Sequence, residues 1–206
     1  MPSSPLRLLP RDGQAVLHEN FFRPPAFPDG LFDTLAAALE WRGETLRIFG
    51  KEHPVPRLVA YYGEFPYRYS GVTHPARPLP EVLRPLCAAA EEAAGFRFNS
   101  VLGNYYRDGQ DSMGYHRDDE PEIDPACIAS VSFGATRRFK LRHRESREVV
   151  TVELADGSLL LMNDCQTAWE HGVPKTRRAL GGRINLTFRR MRAPTAGRAS
   201  PWRSAR

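Results

Sequence analysis

The chain has 206 residues, 41% hydrophobic and 26% charged, which is ample for one core and short for two. No apolar run approaches the roughly 18 residues of a membrane span, and the opening MPSSPLRLLPRDGQ has no signal-peptide core. Membrane-spanning and secreted classes are therefore set aside: no membrane partner is expected, and the chain should be a monomer in the cytoplasm (nucleoid-associated), or in the nucleus if eukaryotic. Cys87, Cys127 and Cys165 are odd in number and far apart, which suits reduced, buried thiols and neither a disulfide framework nor a zinc ribbon. The formal charge of +5 is asymmetric. Ten of the 29 basic residues and no acidic ones follow from Lys175 onward, leaving 19 basic against 24 acidic before it, a net of −5.

Residues 1–28 are proline-rich with little periodicity and read as an irregular lead-in. Residues 29–42 carry Leu31, Leu35, Ala38 and Leu39 at helical spacing. Residues 46–62 have strand-like stretches on both sides of a Gly-Lys turn and a proline-broken segment, which reads as a hairpin with an exposed tip. A second helix is predicted over 80–94, stopped by Gly95. Beyond Phe96 the chain alternates short strands and turns. Candidates are 98–106, 126–134, 137–143, 148–154, 158–162, 167–172 and 183–190, with Asp156-Gly157 turning one hairpin. This order predicts an α+β chain with two N-terminal helices packed on one side of a β-sandwich or jelly roll. Residues 191–206, with Arg192, Arg198, Arg203 and Arg206 among Pro, Gly, Ala and Ser, read as a basic, disordered tail suited to phosphates or to solubility alone.

The most informative stretch is NYYRDGQDSMGYHRDDE, residues 104–120. His116 and Asp118 are two apart, so in an extended chain they project the same way and can grip one cation. A distant histidine would complete a 2-His-1-carboxylate triad, which holds Fe(II) and leaves positions open for substrate and O2. A structural zinc is the rival, but it usually takes four protein ligands, and the motif contains no cysteine. Arg183-Ile-Asn-Leu-Thr-Phe-Arg189 alternates strictly, so Arg183, Asn185, Thr187 and Arg189 share one strand face. An ordinary half-exposed strand would read the same way. Six residues of strand span roughly 20 Å, and two arginines each reaching about 6 Å inward leave a gap about the length of a five-carbon diacid such as 2-oxoglutarate.

These residues, followed in order by IASVSFGATRRFKLRHR, GSLLLMNDCQTAWEHGVP and GRINLTFR, resemble the AlkB family of Fe(II)/2-oxoglutarate dioxygenases. Members of that family remove N-alkyl lesions from nucleic acid bases. The similarity runs from about residue 47 to 190 and is greatest to the branch that repairs double-stranded DNA. The resemblance implies one dioxygenase domain over 29–190, with a double-stranded β-helix core at 98–190 and a nucleotide-recognition hairpin region at 46–72. It implies His171 as the third metal ligand, with Asn104, Tyr106, Arg183, Asn185, Thr187 and Arg189 around 2-oxoglutarate. Arg183 is assigned to its remote carboxylate and Arg189 to the end nearest the iron.

The implied reaction consumes O2 and 2-oxoglutarate, gives CO2 and succinate, and hydroxylates an N-bound methyl that leaves as formaldehyde. No side chain need act as general base. RIFGKEHPVPR resembles the hairpin that inserts an aromatic wedge into duplex DNA, which places Phe49 at the wedge. Tyr67 and Tyr69 fall at lesion-pocket positions, with Tyr69 facing the His116 ring, and Glu120 is placed to read an exocyclic amine. The 63–67 loop is shorter than the family pattern, and Tyr69 stands where a phenylalanine is often found, which leaves the preferred lesion open. Arg138, Lys140 and Arg142, within the basic run 137–147, are expected to grip phosphates. Arg57 is a further phosphate or opposite-strand contact. His18, His53, His74 and His143 read as exposed or hydrogen-bonded rings. Three rival functions stay open: the same chemistry on single-stranded DNA or RNA, non-catalytic binding of damaged bases, and hydroxylation of protein.

Overall fold

The structure, a computed structural model, describes residues 4–48, 51–69 and 72–193. In chain order the first half contains β1 (Leu6–Arg7), β2 (Gln14–His18), α1 (Leu31–Ala38), β3 (Arg42–Ile48), β4 (Lys51–Gly63), β5 (Tyr67–Tyr69), β6 (Val72–His74) and α2 (Arg84–Ala94). The second half is all strand: β7 (Ser100–Tyr106), β8 (Met113–His116), β9 (Cys127–Gly134), β10 (Arg137–His143), β11 (Val149–Leu154), β12 (Ser158–Asn163), β13 (Trp169–Val173) and β14 (Arg183–Arg189). The larger sheet runs β1-β2-β12-β9-β14-β7-β4-β3, the smaller β11-β10-β13-β8, and β5 and β6 pair by themselves. The arrangement is that of a jelly roll.

Because strand side chains alternate faces, the larger sheet buries one set of residues outward and another inward. On its outer face Val131, Ile184, Leu186 and Phe188 pack with Leu35, Leu39, Leu86 and Ala90 of the helical segments. On its inner face Leu102, Ile128, Leu160 and Met162 meet Phe139, Leu141, Trp169 and Val173 of the smaller sheet. Every residue of β14 is consequently buried. Its polar face, which could have been a solvated one, points into the space between the sheets.

Several sequence expectations are corrected here. Residues 4–28 are not an irregular lead-in: β2 pairs with β12, and Ala15, Leu17 and Phe22 belong to the core. A five-residue strand is too short to show a period among so many prolines. The first helix ends at Ala38, where Leu39 is extended at φ −94 and ψ 144, and the chain enters β3 four residues before the expected hairpin. The second begins as a 3-10 turn, Glu81–Leu83, and becomes α-helical at Arg84, with Pro85 in its first turn where a missing N–H does no harm. Gly95, at φ 60, ends it as expected.

The supposedly proline-broken segment is one continuous strand, β4. Pro54 and Pro56 lie before Leu58, where pairing with β7 begins, and across from the register slip between Gly43 and Thr45 of β3. Neither proline has to donate to a regular ladder there. The strand β8, Met113–His116, lies outside the expected strands. Among the described residues no helix is long and apolar enough to cross a membrane, and all three cysteines are free and buried.

Candidate metal centre and co-substrate pocket

The strand β13 brings His171 directly opposite His116 of β8, as Cα partners of an antiparallel pair, so both rings leave the sheet on one face. Their centroids are 4.4 Å apart. The register slips immediately afterwards, between His171 and Val173. At Gly172 a Cβ would lie 2.9 Å from the Met113 carbonyl oxygen, so glycine permits this close approach of the two strands. Asp118 follows two residues after His116, and the metal-binding atoms of His116, Asp118 and His171 all lie within 4.8 Å of one another.

Each member of the triad is oriented by a neighbour. The Nδ1–H of His116 donates to the Gly114 carbonyl at 3.0 Å, which leaves Nε2 with its lone pair. Asp118 Oδ1 accepts from Arg189 Nη2 at 2.7 Å, and the Asp118 backbone N–H donates to Gln166 Oε1 at 3.1 Å. The other carboxylate oxygen, Oδ2, is buried without a hydrogen-bond partner and lies 4.0 Å from His171 Nε2. The His171 ring is stacked on Phe139, centroids 5.4 Å apart. A buried carboxylate oxygen left open between two imidazoles fits a divalent metal, and two N donors with one O donor and no thiolate suit Fe(II).

The protonation states suit a metal as well. Burial, and then the neighbouring His116, bring His171 down to about 3, and burial likewise lowers His116. Burial pushes Asp118 up, but neighbouring positive charge, Arg189 first, outweighs it and holds the carboxyl below its ordinary range. At neutral pH the site therefore offers two neutral imidazoles and one carboxylate.

A pH dependence follows. In the unfolded chain both histidines take up protons below about 6.5, while in the fold they resist. Their contribution to the stability of the metal-free protein is complete above about 6.5. It is lost as pH falls toward the folded values, by up to about 1.4 kcal/mol per group per pH unit. The urea midpoint of metal-free protein should fall between pH 7 and 5, before most carboxylates titrate, and should fall less in His171→Leu. An unchanged midpoint would contradict neutral burial of these rings.

Along the inner face of β14, Asn185 sits opposite Asn104 of β7 and Ser132 of β9, and Arg183 opposite Tyr106. Arg183 is 1% exposed. One of its nitrogens, Nη2, donates to Ser132 Oγ at 2.9 Å, while Nε and Nη1 are buried without partners. Among the described residues no carboxylate forms an ion pair with it. Burial lowers its pKa to about 10, against a smaller raising effect of Tyr106. A desolvated guanidinium with two open nitrogens is a site for an anion. Asn185 donates to Ser130 Oγ and to the Val131 carbonyl and accepts from Thr187 Oγ1. Asn104, Tyr106, Asn185, Thr187 and Arg189 line the same pocket as the triad, whereas Arg183 lies under Tyr106, 5.3 Å from its ring centre.

The residues expected to meet substrate divide into several groups. Tyr67 is 2% exposed and lines the pocket. Its hydroxyl donates to Glu120 Oε1 at 3.2 Å, and the Arg189 guanidinium lies 5.6 Å from its ring centre. The second oxygen of Glu120, Oε2, is buried without a hydrogen-bond partner, and burial raises this carboxyl. Phe49 and the side chain of Tyr69 lie outside the described residues.

Arg57 is corrected. It is buried rather than exposed to phosphate, lines the pocket, and donates Nε to Asn104 Oδ1 at 2.6 Å. The basic run is corrected too. Arg137 is buried, with its guanidinium donating to the carbonyls of Asp108, Asp111 and Pro174. On the outer face Arg142 is neutralised by Glu170, its cross-strand neighbour, and rests 3.8 Å from the Tyr115 ring centre. Exposed Arg138 and half-buried Lys140 are what remain of the expected basic face.

Sequence reasoning missed Gln166, Phe139, Ser130 and Ser132. The two serines, spaced i,i+2 in IASVSFG, could have been read as a polar face, whereas Gln166 carries no local signal at all.

Comparison with known proteins places residues 14–189 in register with the 2OG-Fe(II) oxygenase superfamily. The chain is 44% identical over 178 residues to DNA oxidative demethylase ALKBH2 of Mus musculus, covering 79% of this chain and 74% of that one. It is 42% identical over 178 residues to the Homo sapiens protein of the same name, covering 79% and 68%. Alpha-ketoglutarate-dependent dioxygenase alkB homolog 3 of Rattus norvegicus is 45% identical over 150 residues, 66% of this chain and 50% of that one. The solved structure of OsALKBH1 superposes with a TM-score of 0.59 at 18% identity, over 90% of this chain and all of that one, which is a likeness of fold.

Proposed function

This chain belongs to the AlkB family of the 2OG-Fe(II) oxygenase superfamily and is an Fe(II)/2-oxoglutarate-dependent dioxygenase, and from that footing we propose that it dealkylates N-alkylated bases, 1-methyladenine and 3-methylcytosine, in DNA, preferring double strands. It acts as a monomer where DNA resides, in the nucleoid or nucleus. The observation that carries this reading is one pocket holding the His-Asp-His triad together with Tyr67 and Arg189, beside the open oxygen of Glu120. The names of the ALKBH2 relatives support DNA as the substrate.

When bound, Fe(II) with 2-oxoglutarate and O2 supplies the oxidation that converts an N-methyl group to N-hydroxymethyl, releasing CO2 and succinate. The rest is placement by this chain. His116, Asp118 and His171 hold the metal, and Arg189 fixes the Asp118 carboxylate so that Oδ2 is the oxygen presented to it. Arg183, at the far end of β14 with two open nitrogens, takes the remote carboxylate of 2-oxoglutarate. Tyr67 lines the pocket and its hydroxyl holds Glu120, which accepts a hydrogen bond from the exocyclic amine of the flipped base. The hydroxymethylated nitrogen then sheds formaldehyde without a protein base.

A stacked base cannot reach a buried metal, so it must leave the helix, which costs a few kcal/mol and least where methylation already blocks pairing. Phe49, which follows β3 in sequence, fills the vacated stack, and Arg138 and Lys140 hold phosphates.

The test is anaerobic reconstitution with Fe(II) and 2-oxoglutarate, followed by mass spectrometry of methylated duplex and single-stranded oligonucleotides after air is admitted. Loss of one CH2 equivalent per lesion, with stoichiometric succinate, is expected, and retention of the methyl group with tight binding would make the protein a damage binder. Phe49→Ala should lower duplex repair roughly tenfold or more while sparing single strands. Equal losses on both would put the single-strand or RNA reading in its place.

A further inference from the structure

The hairpin of β5 and β6 is a two-stranded sheet apart from both larger ones, and it carries Tyr67 into the pocket. A hairpin this short is not stable by itself, so something must hold it. Tyr67 is the cross-strand partner of His74, with the two rings near-parallel at 19° and 6.0 Å between centroids. Tyr61 of β4 lies against both, at 5.5 and 5.7 Å.

The outer nitrogen of His74, Nε2, reaches Glu44 Oε1 at 3.3 Å, and the two side chains are 13% and 10% exposed. Glu44 is on β3, the edge strand of the larger sheet, at the point where the ladder with β4 slips register. An inward acid on an edge strand needs a partner, and His74 is that partner. The chain of contacts therefore runs from the recognition hairpin through Glu44 and His74 to Tyr67, and from Tyr67 to Glu120 and Arg189.

We propose that Glu44 and His74 form a latch between the β3–β4 hairpin and the β5–β6 hairpin, a pair of positioning residues that sets where Tyr67 stands and hence how tightly the damaged base is held. Neither residue touches the metal-binding triad. The proposal rests on the functional reading above in taking Tyr67 as part of the pocket that receives the base.

His74→Phe keeps a ring on Tyr67 but severs the tie to Glu44; Glu44→Leu severs it from the other side; Glu44→Gln retains a hydrogen-bonding partner. With a 1-methyladenine duplex, the two severing variants should each raise KM about five- to tenfold with kcat unchanged, while Glu44→Gln stays within about twofold of the parent. Uncoupled turnover of 2-oxoglutarate, measured as succinate formed without methylated DNA, should be unaffected in all three. The double variant Glu44→Leu/His74→Phe should be no worse than either single one, since one interaction cannot be lost twice.

A parental KM in Glu44→Leu, a fall in uncoupled turnover matching the fall in kcat/KM, or multiplicative losses in the double variant would each overturn the latch. Demethylation by the parent enzyme tests the functional reading separately. Should the parent leave methylated DNA intact, that reading fails and the latch is judged on melting temperatures. Non-additive losses across the two single variants and the double would support it, and additive losses would overturn it.

Discussion

Arg183→Met should yield a protein that no longer uses 2-oxoglutarate yet resists urea at least as well as its parent when no ligand is present. The two effects have one cause. Arg183 is buried, two of its nitrogens are unpartnered, and burial has brought its pKa down to about 10. A guanidinium in that state opposes folding, and replacing buried charge with a well-packed apolar side chain is neutral or stabilising by roughly 1–4 kcal/mol. Its retention makes sense only if an anion repays the desolvation on binding. Without the fork, the remote carboxylate of 2-oxoglutarate has no counter-charge, and its KM should rise about a hundredfold or more. Arg183→Lys keeps the charge without the bidentate geometry and should fall between. Urea titration of the metal-free protein and succinate assays over a range of 2-oxoglutarate read the two halves separately. A marked loss of stability in Arg183→Met would show that Arg183 is a structural residue.

Asp118→Asn should have the opposite sign on stability and an equally large effect on activity. Burial pushes Arg189 down, but Asp118 more than offsets it and holds Arg189 above its ordinary range. Their contact, Arg189 Nη2 to Asp118 Oδ1 at 2.7 Å, is between side chains 5% and 3% exposed. Removing the negative charge while keeping the shape strands a buried guanidinium, which should destabilise the metal-free protein by about 3–5 kcal/mol. The same change removes the anionic ligand, so Fe(II)-dependent turnover should vanish. Adding Arg189→Met to Asp118→Asn should restore much of the stability and none of the turnover, because the stranded charge is gone while the ligand is still missing. If the double variant is less stable than Asp118→Asn alone, the Arg189–Asp118 pair is not what sets stability here.

The two substitutions separate what the pocket does for folding from what it does for chemistry. Asp118 and Arg189 pair through one oxygen and one nitrogen, whereas among the described residues Arg183 has no carboxylate partner and bonds only Ser132 through Nη2. The inner face of β14 therefore holds one arginine paired with Asp118 at one end and one with two unpartnered nitrogens at the other. Arg57 of β4, bonded to Asn104 of the neighbouring β7, is a further buried guanidinium at the pocket.

Local order settled a good deal. The i,i+2 spacing of His116 and Asp118, the alternation from Arg183 to Arg189 and the stop at Gly95 are properties of a few consecutive residues, and alternation of strand faces carries them into three dimensions unchanged. What a strand face looks at is another matter. The polar face of β14 is inward because helices cover the apolar face and a second sheet covers the polar one, and no residue of β14 encodes either neighbour. Likewise Glu170 neutralises Arg142 only because β13 lies beside β10 in that register, and Arg57 reaches Asn104 across 47 residues of chain. The amino-acid order by itself determined which side chains share a face, since that is a short-range consequence of backbone geometry. Only the tertiary structure decided which of those faces is dry, and so which arginine stays at the surface, which pairs with Asp118 and which is buried with unpartnered nitrogens, because burial and charge pairing depend on neighbours distant in the chain.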